Sequence, residues 1–182
     1  MSRPVLIVIS GISGCGKTTL ANGLVSLTGA QTVSRDDIQT EQDGWHQENG
    51  KQKAWETLKE RAKAFLDRGE NVIAEGMPFS RQSERRALRD IAQQAQAQLV
   101  WIHISCDVET AQKHIKGQIH PAPDRDNNNI AKVAQNFEPF DDDVFPDITL
   151  PAAAGQRLVL IHAKKHLKPF LNNAQPEVSF TV

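Results

Sequence analysis

Short apolar runs bounded by turn residues alternate along this chain with longer stretches whose apolar positions recur at helical spacing. That is the pattern of strands joined by crossover helices in a parallel sheet. The apolar runs fall at Val5–Ser10, at 31–33, 71–74 and 99–105 and, more weakly, at 157–161. Helical spacing fills 17 to about 27, 52–67, 81 to about 95, 108–116 and 130–137. The predicted fold is therefore α/β, a parallel five-stranded sheet with helices on both faces. Three segments suit neither element: 40–50 (TEQDGWHQENG), 117–129 (GQIHPAPDRDNNN) and 138–151 (EPFDDDVFPDITLP). Each is polar, rich in Gly, Pro, Asp or Asn, and about as long as a functional loop rather than a simple connection. In an open α/β sheet such loops gather at the carboxyl ends of the strands, where ligands bind.

Composition narrows the class. With 182 residues, 39% of them hydrophobic, the chain matches one domain, 1–182, with a polar tail from about 172. Acids and bases are mixed to a formal net charge of −1. The broad basic field that non-specific nucleic-acid binding needs is missing, while a local basic groove stays open. The first apolar run is too short for a signal segment or a membrane span and leads straight into a glycine loop, so it reads as a buried strand of a cytoplasmic protein with no membrane partner. Neither Cys15 nor Cys106 has a second cysteine or a histidine at metal-ligand spacing, which argues against a structural zinc or disulfide.

Within GISGCGKTT, residues Gly11, Gly16, Lys17 and Thr18 match G-x-x-x-x-G-K-[ST] directly after an apolar strand and before a helix. In that context the motif marks the phosphate-binding loop of a nucleoside-triphosphate-binding protein. Glycines let the backbone turn tightly and aim N–H groups at phosphate oxygens, and the helix N-terminus adds partial positive charge. The candidate nucleotide contacts are Gly11, Ser13, Gly14, Cys15, Gly16, Lys17, Thr18 and Thr19. Lys17 reaches the β- and γ-phosphates in this arrangement, and the Thr18 hydroxyl binds Mg²⁺. The alternative, a glycine turn with an incidental Lys-Thr pair, is opposed by the strand-to-helix placement.

No N/T-K-x-D motif comes after a later strand, so a guanine-specific switch is excluded. A motor or assembly ATPase would need more chain for a helical lid domain and an arginine for its neighbour. Directly after the second run stands Ser34-Arg35-Asp36-Asp37. A carboxylate there faces the γ-phosphate across the sheet's carboxyl edge, where a kinase needs a base to accept the proton of an acceptor hydroxyl. Asp36 or Asp37 could otherwise cap the next helix. Glu75 ends the third run, where an acid can hold a Mg²⁺-bound water or simply occupy a turn. Arg81, Arg85 and Arg86 lie near the start of the next helix and could hold an anionic acceptor or face solvent.

Together, GISGCGKTT, VSRDD, NVIAEG and SRQSERR resemble, over residues 5 to about 146, the P-loop kinases of the polynucleotide kinase-like group, which includes zeta-toxin-like, seryl-tRNA and small-molecule antibiotic kinases. The resemblance implies a P-loop NTPase fold with a mobile lid at about 112–129, ATP and Mg²⁺, and Asp36 as general base with Arg35 and Asp37 in support. The group more often has Asp where this chain has Glu75. Its lid carries an R-x-x-x-R-like element whose planar guanidinium groups clamp phosphates. Here Gln112 and Lys116 stand in those places, and Lys116 brings a point charge without the bidentate fork. Arg125, farther along the lid, is the expected clamp. Asn136-Phe137-Glu138-Pro139 resembles a segment that shapes the far side of the site in seryl-tRNA kinase-like members.

Members acting on nucleic-acid ends tend to follow R-D-D with another arginine, whereas this sequence has Ile38-Gln39. The acidic run 141–143, most simply a solvated turn, would also repel an anionic polymer at the cleft mouth. Trp45 could stack on a base or sugar face or pack back on its own loop, and His46 reads as an ordinary polar-loop histidine. The reading that results is an ATP- and Mg²⁺-dependent kinase acting on a hydroxyl of a small metabolite, nucleoside or antibiotic. The alternatives are a polynucleotide or tRNA-linked kinase, and a regulatory module in which ATP orders the 117–129 loop. Asp36 and Glu75 favour the enzyme, because a switch needs no base facing the γ-phosphate.

Overall fold

A computed structural model describes residues 3–116 and 126–172. Five parallel strands, β1 (Val5–Ser10), β2 (Gln31–Ser34), β3 (Val72–Glu75), β4 (Gln98–Ser105) and β5 (Ile148–Pro151), form one sheet in the order β2-β3-β1-β4-β5. The central strand, VLIVIS, is buried along its whole length, as expected for a parallel strand covered on both faces. Its alternate residues divide the core. Val5, Ile7 and Ile9 point into a cluster with Leu20, Ala21 and Leu24 of α1 (Lys17–Thr28) and Val159, Ala163 and Leu167 of α7 (Gln156–Asn172). Leu6 and Val8 point the other way, against Ala54, Leu58 and Ala62 of α3 (Gly50–Asp67) and Leu88 and Ile91 of α4 (Gln82–Gln94). Short helices α2 (Arg35–Glu41), α5 (Val108–Ile115) and α6 (Asn127–Gln135) sit at the carboxyl edge.

The structure corrects the sequence reading at the C-terminal end. Residues 157–161, read as a weak strand, begin α7. Its buried positions Val159, Ala163 and Leu167 are four apart, the helical period, and Gly23 of α1 gives α7 room, since a Cβ there would lie 2.7 Å from the Leu160 side chain. The fifth strand lies instead within 138–151, read as loop. It is a half-exposed edge strand of four residues, paired Ile102↔Ile148 through Ser105↔Pro151, too short and too polar in its flanks to show periodicity. Asp147 anchors it by accepting the Trp101 N–H at 2.6 Å. Helix α2 is likewise absent from the sequence pattern. Among the described residues no helix is long and apolar enough to cross a membrane.

Candidate active site

Parallel strands bring all five carboxyl ends to one edge, and the loop leaving β1 there turns back into α1. Its course depends on glycine: a Cβ on Gly11 (φ +140°) would lie 2.6 Å from Ile104 O, and one on Gly14 (φ +86°) 2.5 Å from Ala111 O. The loop is thus pressed against the end of β4 and against α5. Helix α1 begins at Gly16 (φ +100°) with no side-chain cap, so its first-turn N–H groups remain available to an anion. Lys17 is 9% exposed and folds onto the loop, its Nζ donating to Gly11 O at 2.9 Å and Ile12 O at 3.1 Å.

Thr18 Oγ1 donates to Glu75 Oε2 at 2.9 Å across the gap between β1 and β3. Glu75 is 2% exposed, and burial pushes its carboxyl above the usual carboxylate range against the opposing pull of the Thr18 hydrogen bond and the Lys17 charge. The pair offers hydroxyl and carboxylate oxygens, hard donors of the kind that hold Mg²⁺ together with phosphate oxygens and water.

Ser34 caps α2, accepting the Asp37 N–H at 3.3 Å, which corrects the expectation that Asp36 or Asp37 does so. Both acids are left in the first turn, Asp36 half-buried and Asp37 exposed. Arg35 Nη2 donates to Asp36 Oδ1 at 2.8 Å. Gly76 (φ +83°) supports this turn from below: a Cβ there would lie 2.6 to 2.8 Å from Ser34 Oγ, Arg35 N and Asp36 N.

Two cavities meet at this point. The first, of about 490 Å³, runs over the phosphate loop from Ser13 to Leu20 and is bounded by Asp36, Asp37, Glu75, His114 and the start of α7 at Gly155, Gln156 and Val159. The second, of about 370 Å³, is walled by Arg35, Trp45, Trp55, Arg81, Glu84 and Val133. Ser13, Lys17, Asp36 and Gly76 line both. A group bound in one cavity therefore meets a group bound in the other at Lys17 and Asp36.

The sequence-predicted residues distribute unevenly. Ser13, Gly14, Cys15, Gly16, Lys17, Thr18, Thr19, Asp36, Asp37 and Glu75 line the first cavity, while Gly11 lies beneath it as an acceptor for Lys17. Arg35, Trp45 and Arg81 line the second. Trp45 donates its indole N–H to Thr40 Oγ1 at 2.9 Å within its own loop and also lines the second cavity. Lys116 is an exposed residue at the end of α5 and lines neither cavity. Arg125 lies outside the described residues, as does half of the expected lid, 117–125. Gln112 ties α5 to α6 through Asn127 O at 3.1 Å.

Arg85 is the clearest correction. It is 0% exposed, and its guanidinium donates to Phe79 O (3.1 Å), Glu138 O (3.1 Å) and Pro139 O (2.6 Å). Its charge also lies over the Phe140 ring at 4.6 Å. It pins the 137–140 segment to α4 and is not available to an acceptor. The acidic run is likewise not a bare solvated turn: Asp141 pairs with Arg86 at 2.8 Å, and Asp143 with Arg86 at 3.1 Å and Arg89 at 3.4 Å. Those pairs offset much of the charge expected to repel an anionic polymer. Gln39 is buried and donates to Gly44 O at 3.2 Å, holding the 40–50 loop.

Sequence reasoning missed four features. His114 Nδ1 lies 2.9 Å from Gly14 O, on the phosphate loop itself. Trp55 walls the second cavity, and the start of α7 walls the first. Behind the loop, Ser10 Oγ accepts the Trp101 indole N–H at 2.8 Å and lies 3.1 Å from His103 Nδ1. The His103 ring sits against Phe137 (5.4 Å) and Phe140 (5.1 Å), and burial, helped by the Arg85 and Lys17 charges, holds its pKa down to about 4.

A family model described as an AAA domain matches residues 6–140. Among solved structures, a sugar kinase from Janibacter sp. HTCC2649 is similar at a TM-score of 0.70 and 17% identity, over 97% of this chain and 100% of its own. A gluconokinase from Sinorhizobium meliloti 1021 gives 0.71 at 15% identity, over 95% and 97%. A shikimate kinase from Bacteroides thetaiotaomicron gives 0.63 at 14%, over 92% and 98%. At these identities the likeness is one of fold. A search of curated proteins gives no match.

Proposed function

The chain belongs to the AAA domain family, and from that premise and the site's geometry we propose that it is an ATP- and Mg²⁺-dependent kinase that phosphorylates a hydroxyl of a small molecule. The observation that carries the proposal is the pair of adjoining cavities with Lys17 and Asp36 on their common wall. A regulatory nucleotide switch needs the first cavity but not the second. The solved structures of similar fold described as a sugar kinase, a gluconokinase and a shikimate kinase support the same reading.

In this reading the phosphate loop and the N-terminus of α1 bind the triphosphate, and Lys17 leaves the Gly11 and Ile12 carbonyls for the β- and γ-phosphates. Thr18 and Glu75 would hold Mg²⁺, which when bound offsets charge on the phosphate oxygens. The acceptor hydroxyl, in the second cavity, attacks the γ-phosphorus as the bond to the β,γ-bridging oxygen breaks and ADP leaves. Asp36 takes the hydroxyl proton. Arg35, 2.8 Å from Asp36 Oδ1, orients that carboxylate. Arg125 remains the candidate clamp for the transferred charge. The second cavity lies near the lower end of the roughly 300–1,000 Å³ usual for small-ligand sites, which favours a metabolite over a polymer.

The test is transfer of label from γ-³²P-ATP to sugars, sugar acids, nucleosides, hydroxylated antibiotics and 5′-hydroxyl oligonucleotides, by the full chain and by Lys17→Ala. Label on a small molecule, lost in Lys17→Ala, is the expected result. Label confined to oligonucleotides would replace the acceptor class. Label appearing only as free phosphate would move the reading to a nucleotide switch.

A further inference from the structure

The second cavity has a definite chemical character. Its aromatic walls are Trp45 and Trp55, the latter held edge-on against Phe79 at 6.3 Å. Such faces accept the C–H side of a sugar or a flat ring. Glu84 and Gln52 supply short polar contacts for hydroxyls. Lys51 and Arg81 line it as well, Arg81 beside Glu84, whose carboxyl feels its charge. Arg81 is exposed, and among the described residues its guanidinium makes no hydrogen bond or ion pair, its backbone N–H alone bonding Glu84 Oε2 at 3.1 Å. It also lines an open groove beyond, beside Lys132 and Asn136. A planar, five-donor cation on the wall of a small-ligand cavity suits a carboxylate or phosphate more than any neutral group.

We propose that the acceptor is a small polyhydroxylated anion, its ring or polyol chain against Trp45 and Trp55, its hydroxyl at Asp36, and its carboxylate or phosphate held by Arg81. This rests on the kinase reading of the same site and narrows its substrate class. Arg85, equally basic in sequence, takes no part because it is fully buried and both its terminal nitrogens donate to backbone carbonyls. Arg81 acts on specificity and leaves the transfer chemistry to Lys17 and Asp36.

Matched pairs test this on the full chain: gluconate against glucitol for a carboxylate, and glucose 6-phosphate against glucose for a phosphate. Two readouts are taken, label transfer from γ-³²P-ATP and the fluorescence of Trp45 and Trp55. At least one anion is expected to bind and be labelled with kcat/KM about 10- to 100-fold above its neutral counterpart, the range for one charge-assisted hydrogen bond. Arg81→Gln should raise KM for that anion by a similar factor, leave kcat and the neutral compound little changed, and be partly rescued in Arg81→Lys. Which pair discriminates names the anion. Discrimination by fluorescence without transfer would keep the anion site and remove the kinase reading. Equal handling of charged and neutral members, an Arg81→Gln protein with unchanged preference, or no response to any anion up to about 10 mM, above ordinary KM values, would overturn the proposal.

Discussion

Replacing Gly76 by alanine separates the geometry of the base from its chemistry. Gly76 sits at φ +83°, immediately after Glu75, and its Cα faces the turn that carries Asp36. Adding a methyl group there has two costs. The left-handed backbone costs an L-residue roughly 1–2 kcal/mol. The Cβ would also lie 2.6 Å from Ser34 Oγ, 2.7 Å from Arg35 N and 2.8 Å from Asp36 N, two of them backbone atoms that cannot swing aside. Overpacking of that kind costs about 1–3 kcal/mol. The sum, about 2–5 kcal/mol, corresponds to a fall in Tm of roughly 5–15 °C at this chain length. Gly69→Ala is the control, because Gly69 has φ +79° and nothing within 4 Å of an added Cβ. It carries the strain without the overlap. The assay is thermal or urea unfolding of both variants, with phosphoryl transfer measured well below either Tm. Relief of the overlap by shifting the β2–α2 turn moves Asp36, and positional errors approaching 1 Å cost on the order of 10² in rate, so kcat should fall at least about tenfold in Gly76→Ala and hold in Gly69→Ala. Equal stability of the two variants, with equal kcat, would refute the argument that this turn rests on the Gly76 backbone.

Three further outcomes are expected. Asp36→Asn should keep ATP affinity while lowering transfer by about 10² or more, the scale of a general base; normal transfer by that variant would shift the role to Asp37 or Glu75. Arg85→Met should cost about 2–4 kcal/mol of stability by stranding three carbonyl acceptors, seen as a lower urea midpoint with acceptor KM unchanged at 25 °C; a KM effect without a stability effect would return Arg85 to the site. His103, with a pKa near 4 in the fold against 6.5 as its ordinary value, resists a proton that the unfolded chain accepts. Stability is therefore lost as pH falls from about 6.5 towards 4, by about 1–2 kcal/mol once the ring's partial exposure is discounted. His103→Gln should flatten that part of the urea-midpoint profile against pH, and a profile identical to that of the parent would show that other groups set it.

The two halves of the site differ in how they are written. The nucleotide half is contiguous: nine residues between one strand and one helix carry the glycines, the lysine and the hydroxyl, and local geometry alone makes them a phosphate cradle. It was legible for that reason, as were the first four apolar runs and the helices with a clean apolar stripe. The proposed acceptor half is assembled from Trp45, Trp55, Arg81 and Val133, which share no local pattern and come together only through the sheet order β2-β3-β1 and the packing of α3, α4 and α6. Arg81 and Arg85 illustrate the limit. They are four residues apart and chemically identical, but α4 turns one towards the cavity and encloses the other beneath the 137–140 segment. Strand order also explains why Asp36 and Glu75, thirty-nine positions apart, line one cavity. With β3 between β1 and β2, and Ser34 in register with Glu75, the ends of the three strands present the Thr18 hydroxyl, the Glu75 carboxylate and the Asp36 turn in a row. A different strand order would keep every motif and separate the proposed base, Asp36, from the phosphate loop.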